Sequence, residues 1–99
     1  MLSLTLLSPG EVIAGIGARA KRRRLDQGLT QLGLAARAQV SLGTLKAFEQ
    51  TGKASIETIV KLAFALGAEA EFTALFPADP PKTMADILEP KRRQRGRVT

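Results

Sequence analysis

The stretch Thr30–Gly52, TQLGLAARAQVSLGTLKAFEQTG, decides the fold. Thr30 is a helix-capping residue type, and Leu34, Ala35 and Ala38 follow it on one helical face, so a helix runs from there to a tight turn at Gln39-Val40. Ser41 caps the next helix, which continues through Phe48 to about Thr51 until Gly52 stops it. Leu34, Ala35, Val40, Leu45 and Phe48 have the spacing to share one core and so fix the angle between the two helices. Small Ala35 lets the two backbones approach closely. Ser41, Leu42, Gly43, Lys46 and Ala47 are then left to project outward from the first turns of the second helix.

Upstream, Ser8-Pro9-Gly10-Glu11 is a helix start: Ser8 caps, Pro9 suits the first helical position, and Glu11 completes a capping box. Val12, Ile13, Ile16 and Ala20 continue at helical spacing, and the helix is expected to reach about Gln27 before Gly28 ends it in the left-handed conformation. Downstream, Ser55 caps a helix in which Ile56, Ile59, Val60, Ala63 and Leu66 trace the expected buried stripe, and Gly67 ends it. A short helix across Glu71–Phe76 follows. Pro77, Pro80 and Pro81 then forbid regular structure, with room for one or two helical turns over Thr83–Leu88. Leu2, Leu4 and Leu6 alternate with Ser3 and Thr5 in strand-like fashion; this segment either frays or pairs with its copy in a dimer. The expected organisation is an N-terminal extension over residues 1–7, a helical domain over 8–78, and a Pro-containing linker with a flexible basic tail over 79–99.

Composition narrows the function. The 99 residues suffice for one modest core, built from Leu, Ile, Val and Ala because only four aromatic residues, all Phe, are present. With no Cys and no His, disulfides, thiolate chemistry, the commonest general base and the commonest metal ligand all fall away. Glu69 and Glu71, two apart on a helix, point away from each other and form no carboxylate pair. No enzyme activity, cofactor or metal site is expected. The net charge of +6 is concentrated at Lys91, Arg92, Arg93, Arg95 and Arg97, leaving residues 1–90 nearly neutral. A second run, Arg19, Lys21, Arg22, Arg23 and Arg24, is either a solvated helix face or a polyanion contact. No stretch is long enough to span a membrane, and the apolar opening MLSLTLL lacks a signal peptide's basic flank, so a cytoplasmic protein is expected.

Two short helices around a tight turn, with exposed residues at the start of the second, have the geometry of a helix-turn-helix. The pattern Gly28-Leu29-Thr30-Gln31, Leu34-Ala35, Val40-Ser41, Leu45, Glu49, Gly52 and Ser55 to Leu66-Gly67 resembles the Cro/C1-type (XRE) family over residues 16–76. The resemblance implies an all-α, five-helix, lambda-repressor-like domain that places its third helix in the DNA major groove. It also implies that Thr30 and Gln31 grip backbone phosphate, which suits the free amides and dipole of a helix N-terminus. Gly52-Lys53 is a second candidate phosphate clamp, and Arg22 or Arg23 a third. Ser41, Thr44 and Lys46 can reach bases or phosphates, while Leu42 and Ala47 can meet a thymine methyl and Gly43 offers no side chain at all. Specificity would therefore lean on DNA shape and apolar contact.

The sequence departs from the family at two places. Gln39 replaces the usual turn Gly, so either Gln39 is left-handed or the turn differs. Gly33 stands where Glu is usual, at a cost of about 1 kcal/mol in helix propensity. Arg37 and Glu49 are expected to form a structural ion pair. A homodimer is expected, since such domains bind paired half-sites; the apolar faces available are Leu2, Leu4, Leu6 and Leu7, and the region of Leu75, Phe76 and Ile87. The carboxyl end, Ala65-Leu66-Gly67, Leu75-Phe76-Pro77, Asp86-Ile87-Leu88 and Gln94-Arg95-Gly96-Arg97, resembles HipB-like antitoxins, which implies operon autoregulation and a HipA-type kinase toxin as partner. The alternatives are a stand-alone repressor and a tail that only strengthens nonspecific DNA affinity.

Overall fold

A computed structural model describes residues 7–79, which form α1 (Pro9–Asp26), α2 (Gln31–Ala38), α3 (Leu42–Thr51), α4 (Ile56–Leu66) and α5 (Ala70–Thr73). The class is all-α, with no strand among the described residues. The expectations for the N-terminal leucines, Thr83–Leu88 and the basic tail lie outside these residues.

Local capping chemistry sets the helix starts. Ser8 Oγ accepts the Glu11 N–H while a Glu11 carboxylate oxygen accepts the Ser8 N–H, closing the capping box. Thr30, Ser41 and Ser55 each accept the backbone N–H three residues on. The ends are equally local. After α1, α2 and α4 the chain folds back, with Leu29, Val40 and Ala68 donating to the carbonyls of Arg24, Ala35 and Ala63 at 2.8–3.1 Å. At the end of α2 the left-handed residue is Gln39 itself (φ 59, ψ 46), so the turn is made without a glycine.

α1 packs on α3, and α2 packs on both α3 and α4. The core is Leu34, Ala35, Ala38, Leu45, Phe48, Leu62 and Leu66, with Ile16, Ala20, Val40 and Ile59 against it. The α1–α3 crossing is unusually close. A Cβ on Gly17 would collide with the Phe48 carbonyl and lie 2.9 Å from the Gly52 Cα, and one on Gly52 (φ 81) would strike the Ile13 carbonyl. Two glycines therefore let backbone meet backbone, which locks α3 against α1 at its C-terminal end.

The structure corrects three expectations. In α4 the fully buried residues are Leu62, Ala63 and Leu66, the expected Ile59 and Val60 are half-buried, and Ile56 is exposed. α5 stops at Thr73, and Phe76 is exposed in a left-handed conformation (φ 57). The expected Arg37–Glu49 pair does not form: Arg37 is on the exposed side of α2, and the buried Glu49 carboxylate holds Arg24 instead.

Candidate nucleic-acid interface

The outer face of α3 follows from which of its residues the core claims. Leu45, Phe48 and Glu49 are buried, so Gly43, Lys46, Ala47 and Gln50 form an exposed strip at helical spacing. Ser41 and Thr44 stand exposed at its N-terminal end, and Leu42 is half-buried. The Ser41 hydroxyl accepts the Thr44 N–H at 3.0 Å and donates to Thr44 Oγ1 at 2.7 Å. Ser41 thereby spends its proton on the cap, and the Thr44 hydroxyl keeps its own for an outside acceptor.

α2 begins beside this strip through a buried network. Arg24 Nε and Nη2 donate to the two Glu49 carboxylate oxygens at 2.7 and 3.0 Å, a bidentate pair, while Nη1 donates to the Leu29 carbonyl at 2.8 Å. Gln31 Nε2 donates to Glu49 Oε1 at 3.0 Å. The Arg24–Glu49 pair thus ties together α1, α3, the loop before α2 and the first residue of α2. Gln31, a candidate phosphate contact, commits one amide hydrogen here and retains the other. Thr30 Oγ1 accepts the Gly33 N–H at 2.9 Å, which leaves the Gln31 and Leu32 backbone amides at the tip of α2 to face an anion. Leu32, beside them, is strongly exposed.

On the far side of α3, Thr51 Oγ1 donates to the Ala47 carbonyl at 2.8 Å and accepts the Lys53 N–H at 3.0 Å. This holds the loop that carries the exposed Lys53. Arg22 and Arg23 are placed differently. Arg22 pairs with Asp26 at 3.2 Å, about 200° round α1 from the buried Arg24, and Arg23 pairs with Glu71 of α5 at 3.0 Å. Both pairs are solvent-exposed and worth about 0–1 kcal/mol, so exchange onto a phosphate is cheap. In the resting geometry, however, Arg23 is turned to α5 and away from the strip.

Two features of this site were missed in the sequence. Gln50 is the longest neutral polar side chain on the α3 strip, seven residues after Gly43 and four after Lys46; continuing the outward spacing one more turn would have found it. Arg24 sits among a run of basic residues, yet Ile13, Gly17, Ala20 and Arg24 share one face of α1, and that spacing marks it as inward. Among the described residues no group of acidic or metal-ligating side chains could hold a metal ion, and no helix is long and apolar enough to cross a membrane.

The strip on α3, the open N-terminus of α2 and the carboxylate that joins them have the arrangement of a helix-turn-helix. A comparison with curated proteins finds no match. A comparison with protein families matches residues 21–72, from the second half of α1 into α5, to the model described as "Helix-turn-helix". That is more than half of the chain, and with the geometry above it means that the protein belongs to the Cro/C1-type (XRE) helix-turn-helix family of DNA-binding regulators.

Proposed function

We propose that the protein is a sequence-specific transcriptional repressor that lays α3 in the major groove of an operator and binds as a homodimer over two half-sites about 34 Å apart. The observation that carries this reading is the exposed strip Gly43, Lys46, Ala47 and Gln50, set by the buried Glu49 beside the open end of α2. In this arrangement the α2 amides at Gln31 and Leu32 take one phosphate and Lys53 another. Lys46 reaches a guanine, Gln50 an adenine, and Ala47 or Leu42 a thymine methyl, while Thr44 donates to the backbone or a base edge and Ser41, its proton given to Thr44, accepts from a base amino group. Arg22 and Arg23 add phosphate contacts only after leaving Asp26 and Glu71. The test is a gel shift with the protein's own upstream DNA against scrambled DNA at physiological salt. Preferential retention of the upstream fragment supports repression at an operator; salt-sensitive binding without preference counts against it.

A second role is supported by the sequence of the carboxyl end, whose resemblance to HipB-like antitoxins implies that the protein also neutralises a HipA-type kinase toxin in the cytoplasm. A stand-alone regulator shares the whole DNA face and lacks only that partner. Co-purification with the product of a neighbouring kinase-like gene, where one exists, separates the two.

A further inference from the structure

An apolar groove of about 380 Å³ opens between α1, α4 and α5. Its floor is the core itself, at Phe48, Leu62 and Leu66, and its rim carries Ile56 and Leu75, both strongly exposed. The Arg23–Glu71 ion pair ties α1 to α5 across one wall. The floor is closed, but the large apolar side chains on the rim stand in water, which a small domain with little apolar burial to spare can ill sustain.

We propose that residues 83–89 of the same chain fill this groove, with Met84, Ile87 and Leu88 as the inserted side chains. Three observations select this occupant. The chain leaves α5 at the groove: the helix ends at Thr73, and Leu75, two residues on, is on the rim. From Asp79 the five steps to Met84 span at most about 18 Å, a short leash. Met84, Ile87 and Leu88 stand at i, i+3 and i+4, one apolar edge, while Asp86 and Glu89 fall on the opposite side where they stay hydrated. A tether this short gives an effective concentration in the millimolar range, which favours the chain's own segment over a second copy at micromolar protein. The docking also fixes where the basic run Lys91–Arg97 starts: directly after Pro90, at the mouth of the groove. A homodimer must then use another surface.

The full-length chain contains no Cys, so one label can be placed at will. A nitroxide on Ala85→Cys, beside the apolar edge, is attached to isotope-labelled protein diluted in excess unlabelled, nitroxide-free protein. Broadening of the Ile56 and Ile59 amide signals, with Gly43 unaffected, is the expected result. The reverse sample carries the nitroxide only on unlabelled chains. Broadening of Ile56 and Ile59 confined to that sample means that a second copy occupies the groove and overturns the proposal, as does broadening in neither sample. Replacing Ile87 and Leu88 by Asp in the full chain is expected to abolish the broadening and lower Tm by on the order of 10 °C. An unchanged Tm refutes the docking independently of the label.

Discussion

Arg24→Ala removes the keystone of the α1–α2–α3 junction, and its cost follows from the geometry. Arg24 and Glu49 have side chains only 7% and 3% exposed, so neither can recover water when the other is lost. The substitution deletes the two hydrogen bonds to Glu49 and the one to the Leu29 carbonyl, leaving a buried carboxylate with only the Gln31 amide. Breaking a buried pair from one side costs about 3–5 kcal/mol. Against a total of about 5–15 kcal/mol for a domain, that is a large share. At about 4–8 °C per kcal/mol the expected fall in Tm is at least about 12 °C. With no Trp or Tyr in the chain, the assay is urea unfolding followed by far-ultraviolet circular dichroism. Arg24→Met combined with Glu49→Leu removes both charges together and is expected to return within about 2 kcal/mol of the parent, because apolar groups of similar size tolerate the site. A single-mutant loss below about 1 kcal/mol, the range of an exposed pair, refutes the reasoning. So does a double mutant no more stable than Arg24→Ala.

Gly17→Ala pushes a methyl into the Phe48 carbonyl and the Gly52 backbone and is expected to cost about 3 kcal/mol; an unchanged thermal midpoint would show that the α1–α3 contact is looser than described. Gln39→Gly relieves a left-handed side-chain residue and is expected to raise stability by about 1 kcal/mol, seen as a higher urea midpoint with unchanged slope. Gly43→Ala has open space for its methyl, so stability is expected to rise by about 0.5–1 kcal/mol while operator retention in the gel shift falls; a gain in both would move Gly43 away from the DNA. Lys46→Ala is expected to weaken operator binding more than Lys61→Ala, since Lys61 lies on α4 beside Glu57; equal losses would argue against α3 as the reading helix.

What could be read from sequence was what is decided locally. Ser8, Thr30, Ser41 and Ser55 mark the helix starts because a cap needs only the next three residues. Gly28, Gly52 and Gly67 mark ends for the same reason. The pairing of Glu49 was not legible in this way. Arg37 is nearer in sequence, but the partner is chosen by which helix faces meet, and α1 brings Arg24 from twenty-five residues away. In α4 Leu62 is buried and Ile56 exposed, a matter of tertiary packing that periodicity inside one helix does not contain. On α3, the exposure of Gly43, Lys46 and Ala47 was legible and that of Gln50 was not, because the exposed face runs a full turn beyond the helix's first turns.

On the proposed function, the chemistry of the strip bears on why the domain would act as a dimer. Of its four outward residues, Gly43 and Ala47 cannot form a hydrogen bond through their side chains. That leaves Lys46 and Gln50 as the two long polar groups per half-site, with the Thr44 hydroxyl as a weaker third. A good base contact discriminates by about 1–3 kcal/mol, so one half-site supplies about 2–6 kcal/mol. Specific sites are typically preferred over random DNA by about 4–10 kcal/mol. One copy of this domain reaches only the lower part of that range, whereas two half-sites, at about 4–12 kcal/mol together, cover it. Phosphate contacts of the kind proposed for the α2 amides and Lys53 would raise affinity for every sequence alike and do nothing to close the gap. On the proposed function, so plain a reading helix would draw its selectivity from doubling the site and from the shape of the DNA between its halves.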